Sequence, residues 1–176
     1  MCKYLVIVFV FFGTLGFAQT SEKYNSKYAN FYRAEELFQK QQFGAARKEY
    51  RDFINSFDNK VDPLFQKALY YEALSALELF NNDAVTLLED FNRNYPESIY
   101  KKGIYFKLGQ YYYQKKDYSR AIIWFNNLKK PDLEAENQGE YFFKLGHSYF
   151  LTEEFPKARN AFYEIKDDST QYGFPS

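Results

Sequence analysis

Four alanines set the register of this chain: Ala46, Ala84, Ala121 and Ala158 follow one another at steps of 38, 37 and 37 residues. Each is followed four residues later by a large apolar side chain, Tyr50, Leu88, Phe125 and Phe162, and three further on by another, Phe53, Phe91, Leu128 and Ile165. Spacings of four and three return a residue to the same face of a helix with 3.6 residues per turn, so each set writes one apolar stripe. A stripe repeated at a near-constant period confines the chain to a series of similar helical units, each burying its face against a neighbour.

Residues 103–131 spell out one unit. Tyr105, Leu108, Gly109 and Tyr112 share a face of a first helix, Gln114, Lys115, Lys116 and Asp117 make a polar turn, and Tyr118, Ala121, Phe125 and Leu128 share a face of a second helix that Pro131 ends. Gly109 lowers helix propensity, so its reason is steric: a second helix approaches there, with Ala121 as the expected neighbour. Leu108-Gly109 recurs as Leu145-Gly146, and Tyr112 as Tyr149, all 37 residues on.

A helix pair with an aromatic residue, then Leu-Gly, Tyr, Ala and Phe at these offsets resembles the tetratricopeptide repeat, whose usual length is about 34 residues. The resemblance implies an all-α fold, a right-handed α-solenoid of about four helix-turn-helix pairs over residues 26–57, 62–95, 98–131 and 139–166, with the surplus length in the loops. It is most specific in the third and fourth pairs. Ala34 and Ala73 stand in place of the glycine in the first two, and the second turn, Asn81-Asn82-Asp83, is one residue shorter. Segment 91–98 is also similar to periplasmic repeat proteins of Gram-negative envelopes, of the Tol-Pal-associated and outer-membrane-assembly types. Locally, Pro63 and Pro156 suit first turns of helices, Asn82 or Asp83 and Ser98 are expected caps, and residues 132–139 read as an acidic, polar loop with room for a helical turn.

At the start, Lys3, the apolar run 4–12 and Gly16-Phe17-Ala18 read as a secretory signal peptide over 1–18, cut before Gln19 and followed by a polar leader over 19–25. The run is shorter than the roughly 20 apolar residues of a membrane span. The expectation is an exported chain, periplasmic or outer-membrane-associated, with no integral span after cleavage. Cys2 precedes the apolar run instead of marking the cut, which argues against a lipid anchor, and as the sole cysteine it leaves the mature chain without disulfide or thiol chemistry. Residues 167–176 show no helical pattern and read as a loop toward a missing or following repeat, which makes the solenoid incomplete: either further repeats follow, or the uncapped end pairs with another molecule, self-association being one such pairing.

Equal numbers of basic and acidic residues, 23 of each, exclude a broad grip on nucleic acid or anionic lipid. His147 is the only histidine, so no histidine-rich metal site or catalytic pair assembles within one chain. The adjacent carboxylates Glu35-Glu36, Glu153-Glu154 and Asp167-Asp168 diverge by about 100° on a helix and form no acid/base pair. Glycines occur singly, with no phosphate-cradling cluster. These readings imply no enzyme, no cofactor and no metal.

In arrays of the resembled family the first helix of each pair lines a concave groove. The matching positions here are Phe31, Tyr70, Phe106 and Phe143, with a second row at Phe38, Leu77, Tyr113 and Phe150 and, between them, Glu35, Leu74, Gln110 and His147. The candidate partner-binding residues are Phe31, Tyr70, Phe106, Lys107, Gln110, Tyr113, Phe143, Lys144, His147 and Phe150. Two readings stay open: the rings form a strip for a peptide or for sugar rings, or they pack between successive first helices as core. Chaperone-tail receptors of the family hold a C-terminal carboxylate with Lys and Asn. Here aromatics displace most of that clamp and leave Lys107 and Lys144. The functional expectation is a non-enzymatic protein-interaction scaffold of the cell envelope that binds a protein or peptide, another envelope protein, with glycan binding as the alternative.

Overall fold

The computed structural model describes residues 27–166 and Tyr172. The signal peptide expected over 1–18, the leader over 19–25 and, Tyr172 aside, the loop over 167–176 lie outside the described residues. The described residues form eight α-helices and a short 3-10 turn, without a strand: α1 (Ala29–Gln39), α2 (Phe43–Ser56), α3 (Pro63–Glu78), α4 (Ala84–Asn94), α5 (Lys101–Gln114), α6 (Tyr118–Phe125), the turn Lys130–Asp132, α7 (Ala135–Leu151) and α8 (Phe155–Tyr163). Neighbours pack in sequence order, which is the arrangement of a TPR-like helical repeat. The helices belong to two compact units that divide inside α4, after Leu87. In the first unit α2 packs on α1 and α3, and α1 also touches α3; in the second, α6 packs on α5 and α7, α7 on α8, and α5 also touches α7.

The alanine register is the core register. Ala46, Ala84, Ala121 and Ala158 are buried, as are Tyr50, Leu88 and Phe125 four residues on and Phe53, Phe91, Leu128 and Ile165 beyond them; Phe162 alone is only half-buried. Phe31, Ala34, Phe57, Phe65 and Ala68 complete the core of the first unit. Gly109 and Gly146 lie where their helix pairs come closest, but the neighbour is a ring and not the alanine: a Cβ on Gly109 would overlap Phe125, and one on Gly146 would come within 2.9 Å of Phe162.

Each pair turns in the same way. Gln41, Phe80, Lys116 and Glu153 adopt left-handed backbone with φ of 57°, 55°, 59° and 63°. Around each, two backbone bonds close the helix end: Gln41 N–H donates to Phe38 O and Gln42 N–H to Leu37 O, both at 2.9 Å, with the same pattern at Phe80-Asn81, Lys116-Asp117 and Glu153-Glu154. This is the Schellman arrangement, which satisfies carbonyls that a helix end otherwise leaves unpaired. In pairs one, three and four, four residues separate the left-handed residue from the register alanine; in the second only Asn81-Asn82-Asp83 do. There Ala84 N–H bonds three residues back, to Asn81 O, instead of four back as Ala46, Ala121 and Ala158 do. The shortened turn removes the first turn of the second helix, so α4 starts at the alanine itself.

Two local readings are corrected and one is sharpened. The helical turn allowed within 132–139 is the start of α7, which begins at Ala135 and not near 139; Gly139 is buried within it, and the Gln138 amide donates to Lys130 O and Leu133 O, both at 3.2 Å, tying the extra turn down. The second helix of the third pair closes at Phe125, before Leu128 and Pro131, because the Asn127 and Leu128 N–H groups turn back three residues to Trp124 O and Phe125 O. Ser98 does not cap α5, whose N-cap is Tyr100. Pro63 and Pro156 do open their helices, with the Asp62 carboxylate accepting from Leu64 N–H at 2.9 Å.

Candidate functional site

Successive first helices of one unit, α5 and α7, bring five of the expected residues together. Gln110 and Tyr113, one turn apart on α5, face Glu140, Phe143, Lys144 and His147, which lie on one side of α7 at helical spacing. The Gln110 amide donates to Glu140 at 2.7 Å, and Lys144 pairs with the same carboxylate from one turn further on. The Lys144 ammonium also lies 5.4 Å from the centre of the Tyr113 ring. The Tyr113 hydroxyl and His147 Nδ1 are 2.9 Å apart, a hydrogen bond whose donor depends on the imidazole tautomer. Tyr118, at the start of α6, sets its ring edge-on to both Tyr113 (5.8 Å) and His147 (5.9 Å). Phe143 stacks nearly parallel to His147, 6.1 Å apart at 8°, and also lies 5.6 Å from Tyr172. Burial pushes the Tyr113 phenol above its ordinary pKa, and Tyr118 and Tyr172 add in the same direction.

This is a half-buried polar and aromatic patch in which each named group already has a partner. It offers rings, an amide, a carboxylate, an ammonium and a phenol–imidazole pair at one place. Among the described residues there is no group of three His, Cys, Asp or Glu side chains able to hold a metal ion. No helix among them is long and apolar enough to cross a membrane.

The other expected residues are elsewhere. Phe31 and Tyr70, in the first unit, are buried: Phe31 packs on Tyr32, Tyr50 and Phe53, and Tyr70 on Tyr71. Phe106 is 7% exposed and rests on Phe125. For these three the core reading is the correct one, because second-helix rings or neighbouring rings cover them. Lys107 is half-buried. Lys144, left over from the carboxylate clamp in sequence, is 15% exposed at its side chain and already held by Glu140. Phe150 lies one turn beyond His147, 52% exposed, and pairs edge-on with Phe155 of α8 at 5.7 Å.

Sequence reading left out Glu140, Tyr118 and Tyr172. Glu140 and Lys144 stand at i and i+4, a pairing visible in sequence. Tyr118 also had a signal, since it falls in register with Phe43 and Phe155 at the head of the second helix.

The fold defines the class: helix pairs repeated in series, of the kind that presents surfaces to other molecules. A family model described as tetratricopeptide repeat matches residues 67–98, from α3 through α4, which supports a TPR protein. The match falls on the second pair, one of those in which the resemblance looked weaker in sequence. Repeats of this family mediate protein–protein interactions and are typically non-catalytic. No curated protein matches the chain.

Proposed function

We propose that the chain is an exported, non-enzymatic protein-interaction scaffold of the cell envelope, which holds a segment of another envelope protein against the α5–α7 patch. The carrying observation is the convergence of Gln110, Tyr113, Glu140, Phe143, Lys144 and His147 from two successive first helices. An extended or helical segment laid there meets rings for its apolar side chains and Gln110 and Glu140 for its backbone or polar groups. Glycan binding is less well supported, because sugar stacking needs an open ring face and the half-buried Phe143 ring already has His147, Tyr172 and Phe162 around it at 6.1, 5.6 and 6.3 Å. Export rests on the Lys3, 4–12 and Gly16-Phe17-Ala18 pattern.

The test is capture of envelope proteins by the wild type and by Tyr113→Ala with Phe143→Ala, with circular dichroism to check folding. The double variant keeps its helices and loses the captured protein. Unchanged capture by a folded double variant refutes the patch. Mass spectrometry of the mature N-terminus gives Gln19 as first residue if export is right, and Met1 if it is wrong.

A further inference from the structure

The repeat supplies its own template for a second surface. Phe38, Phe43, Arg47 and Tyr50 of the first pair recur 112 residues later as Phe150, Phe155, Arg159 and Phe162. In the first pair these positions are covered by α3. Tyr71 meets Phe38 edge-on at 4.9 Å and stacks on Tyr50 at 6.0 Å. The next residue, Glu72, accepts from Arg47 Nε at 2.9 Å and from Arg51 at 2.8 Å. Arg47 is thereby buried, and it also pairs with Asp83. Burial pulls the Arg47 pKa down, and the bonds and charges of Glu72 and Asp83 more than offset this and leave it raised. In the third pair the matching positions are Tyr113, Tyr118, Ile122 and Phe125, covered by α7. Ile122 stands where the arginine would be and is buried with no carboxylate to satisfy.

On the fourth pair the same surface is open. Phe150 and Phe155 keep the edge-on geometry of Phe38 with Phe43, but are 52% and 54% exposed. With Pro156, Arg159, Phe162 and Tyr163 they line an apolar groove of about 630 Å³. Arg159 is exposed there, and of the six arginines it alone has no carboxylate partner among the described residues. Rings left in water cost free energy, and the arrangement matches a surface whose covering helix brings one ring and one carboxylate.

We propose that this groove on α7 and α8 docks an amphipathic helix of a partner polypeptide in which an aromatic residue is followed directly by a glutamate. The ring enters among Phe150, Phe155 and Phe162, and the carboxylate pairs with Arg159, as Tyr71-Glu72 does on the first pair. This surface adjoins the α5–α7 patch, Phe162 lying 6.3 Å from Phe143, but its argument does not rest on that patch.

The probe is a labelled peptide of residues 63–78, the chain's own α3 sequence, titrated by fluorescence anisotropy into the full chain. The expected result is saturable binding that weakens about tenfold or more with Arg159→Gln in the protein or Glu72→Gln in the peptide. Pairing Arg159→Glu protein with Glu72→Arg peptide restores it. Arg159 is exposed, so these variants fold, which circular dichroism checks. No saturable binding, or binding indifferent to Arg159, overturns the proposal. So does binding lost only on Arg47→Gln, which would mean exchange into the first unit. Sedimentation showing a dimer abolished by Arg159→Glu would make the occupant a second copy and overturn the partner assignment.

Discussion

Adding one methyl group at Gly109 and at Gly146 separates two contacts that look alike in sequence. Alanine gains about 1 kcal/mol over glycine in a helix interior, so without other effects both substitutions stabilise. At Gly109 the new Cβ overlaps Cδ1 and Cε1 of Phe125 and lies 2.8 Å from Cζ. Phe125 is fully buried, flanked by Phe106 and Tyr141, and its carbonyl accepts the Tyr141 hydroxyl, so the ring has nowhere to retreat. Overpacking of this kind costs about 1–3 kcal/mol. Taking the upper end, Gly109→Ala destabilises by about 2 kcal/mol net. At Gly146 the nearest ring atoms of Phe162 are 2.9 and 3.1 Å away, and Phe162 is half-buried beside an open groove. That ring swings aside at a cost near the propensity gain, and Gly146→Ala comes out close to neutral. Thermal unfolding followed by far-UV circular dichroism reads the difference: Tm falls by about 4–8 °C for Gly109→Ala and moves by less than about 2 °C for Gly146→Ala. Phe125→Leu in the Gly109→Ala background recovers part of the loss, a coupling that two independent sites do not show. A Gly109→Ala variant that melts at or above the wild type, or a Gly146→Ala variant that is the more damaged, refutes the reasoning.

Two further outcomes follow from single side chains. The buried Tyr141 hydroxyl donates to Phe125 O at 3.2 Å and Leu128 O at 3.1 Å, so Tyr141→Phe lowers stability by about 1–2 kcal/mol in denaturant titration. Burial, with Tyr149 and Asp132 adding, raises its pKa to about 12; the folded state therefore holds this proton longer than the unfolded chain, and the stability it confers is complete below pH 10 and lost between about pH 10 and 12. Ultraviolet titration should show one phenol ionising late in the wild type and not in Tyr141→Phe. Phe80 is 80% exposed in left-handed backbone, where a side chain costs about 1–2 kcal/mol, so Phe80→Gly raises the melting temperature despite the entropy of glycine in the unfolded chain; an unchanged or lower value counts against it.

The fold was legible because its signal is local. Ala121, Phe125 and Leu128 lie within two turns of one another, and any face with that spacing must be buried; the 37-residue recurrence then multiplies one inference by four. Gly109 announced a close approach, though not that the ring of Phe125 makes it. The patch was only partly legible. Phe106 and Phe143 hold the same place in successive repeats, yet one is core and the other half-exposed, because burial depends on what packs over a ring and not on the ring. Arg47 finds Glu72 and Asp83 at separations of 25 and 36 residues, which no local pattern encodes. The start of α7 was hidden by Gly139 and a polar composition, and only the bonds from Gln138 to the preceding loop show why the helix begins early.

The left-handed turns carry a consequence for how such a chain changes over generations. Their closure uses main-chain groups, and the residue at the bend is Gln, Phe, Lys or Glu, all exposed. Folding at these four sites therefore reads the backbone preference and not the polarity of the residue: glycine or asparagine is favoured and a β-branched side chain opposed, whereas charge among unbranched residues can be rewritten at the bends while every helix pair stays as it is.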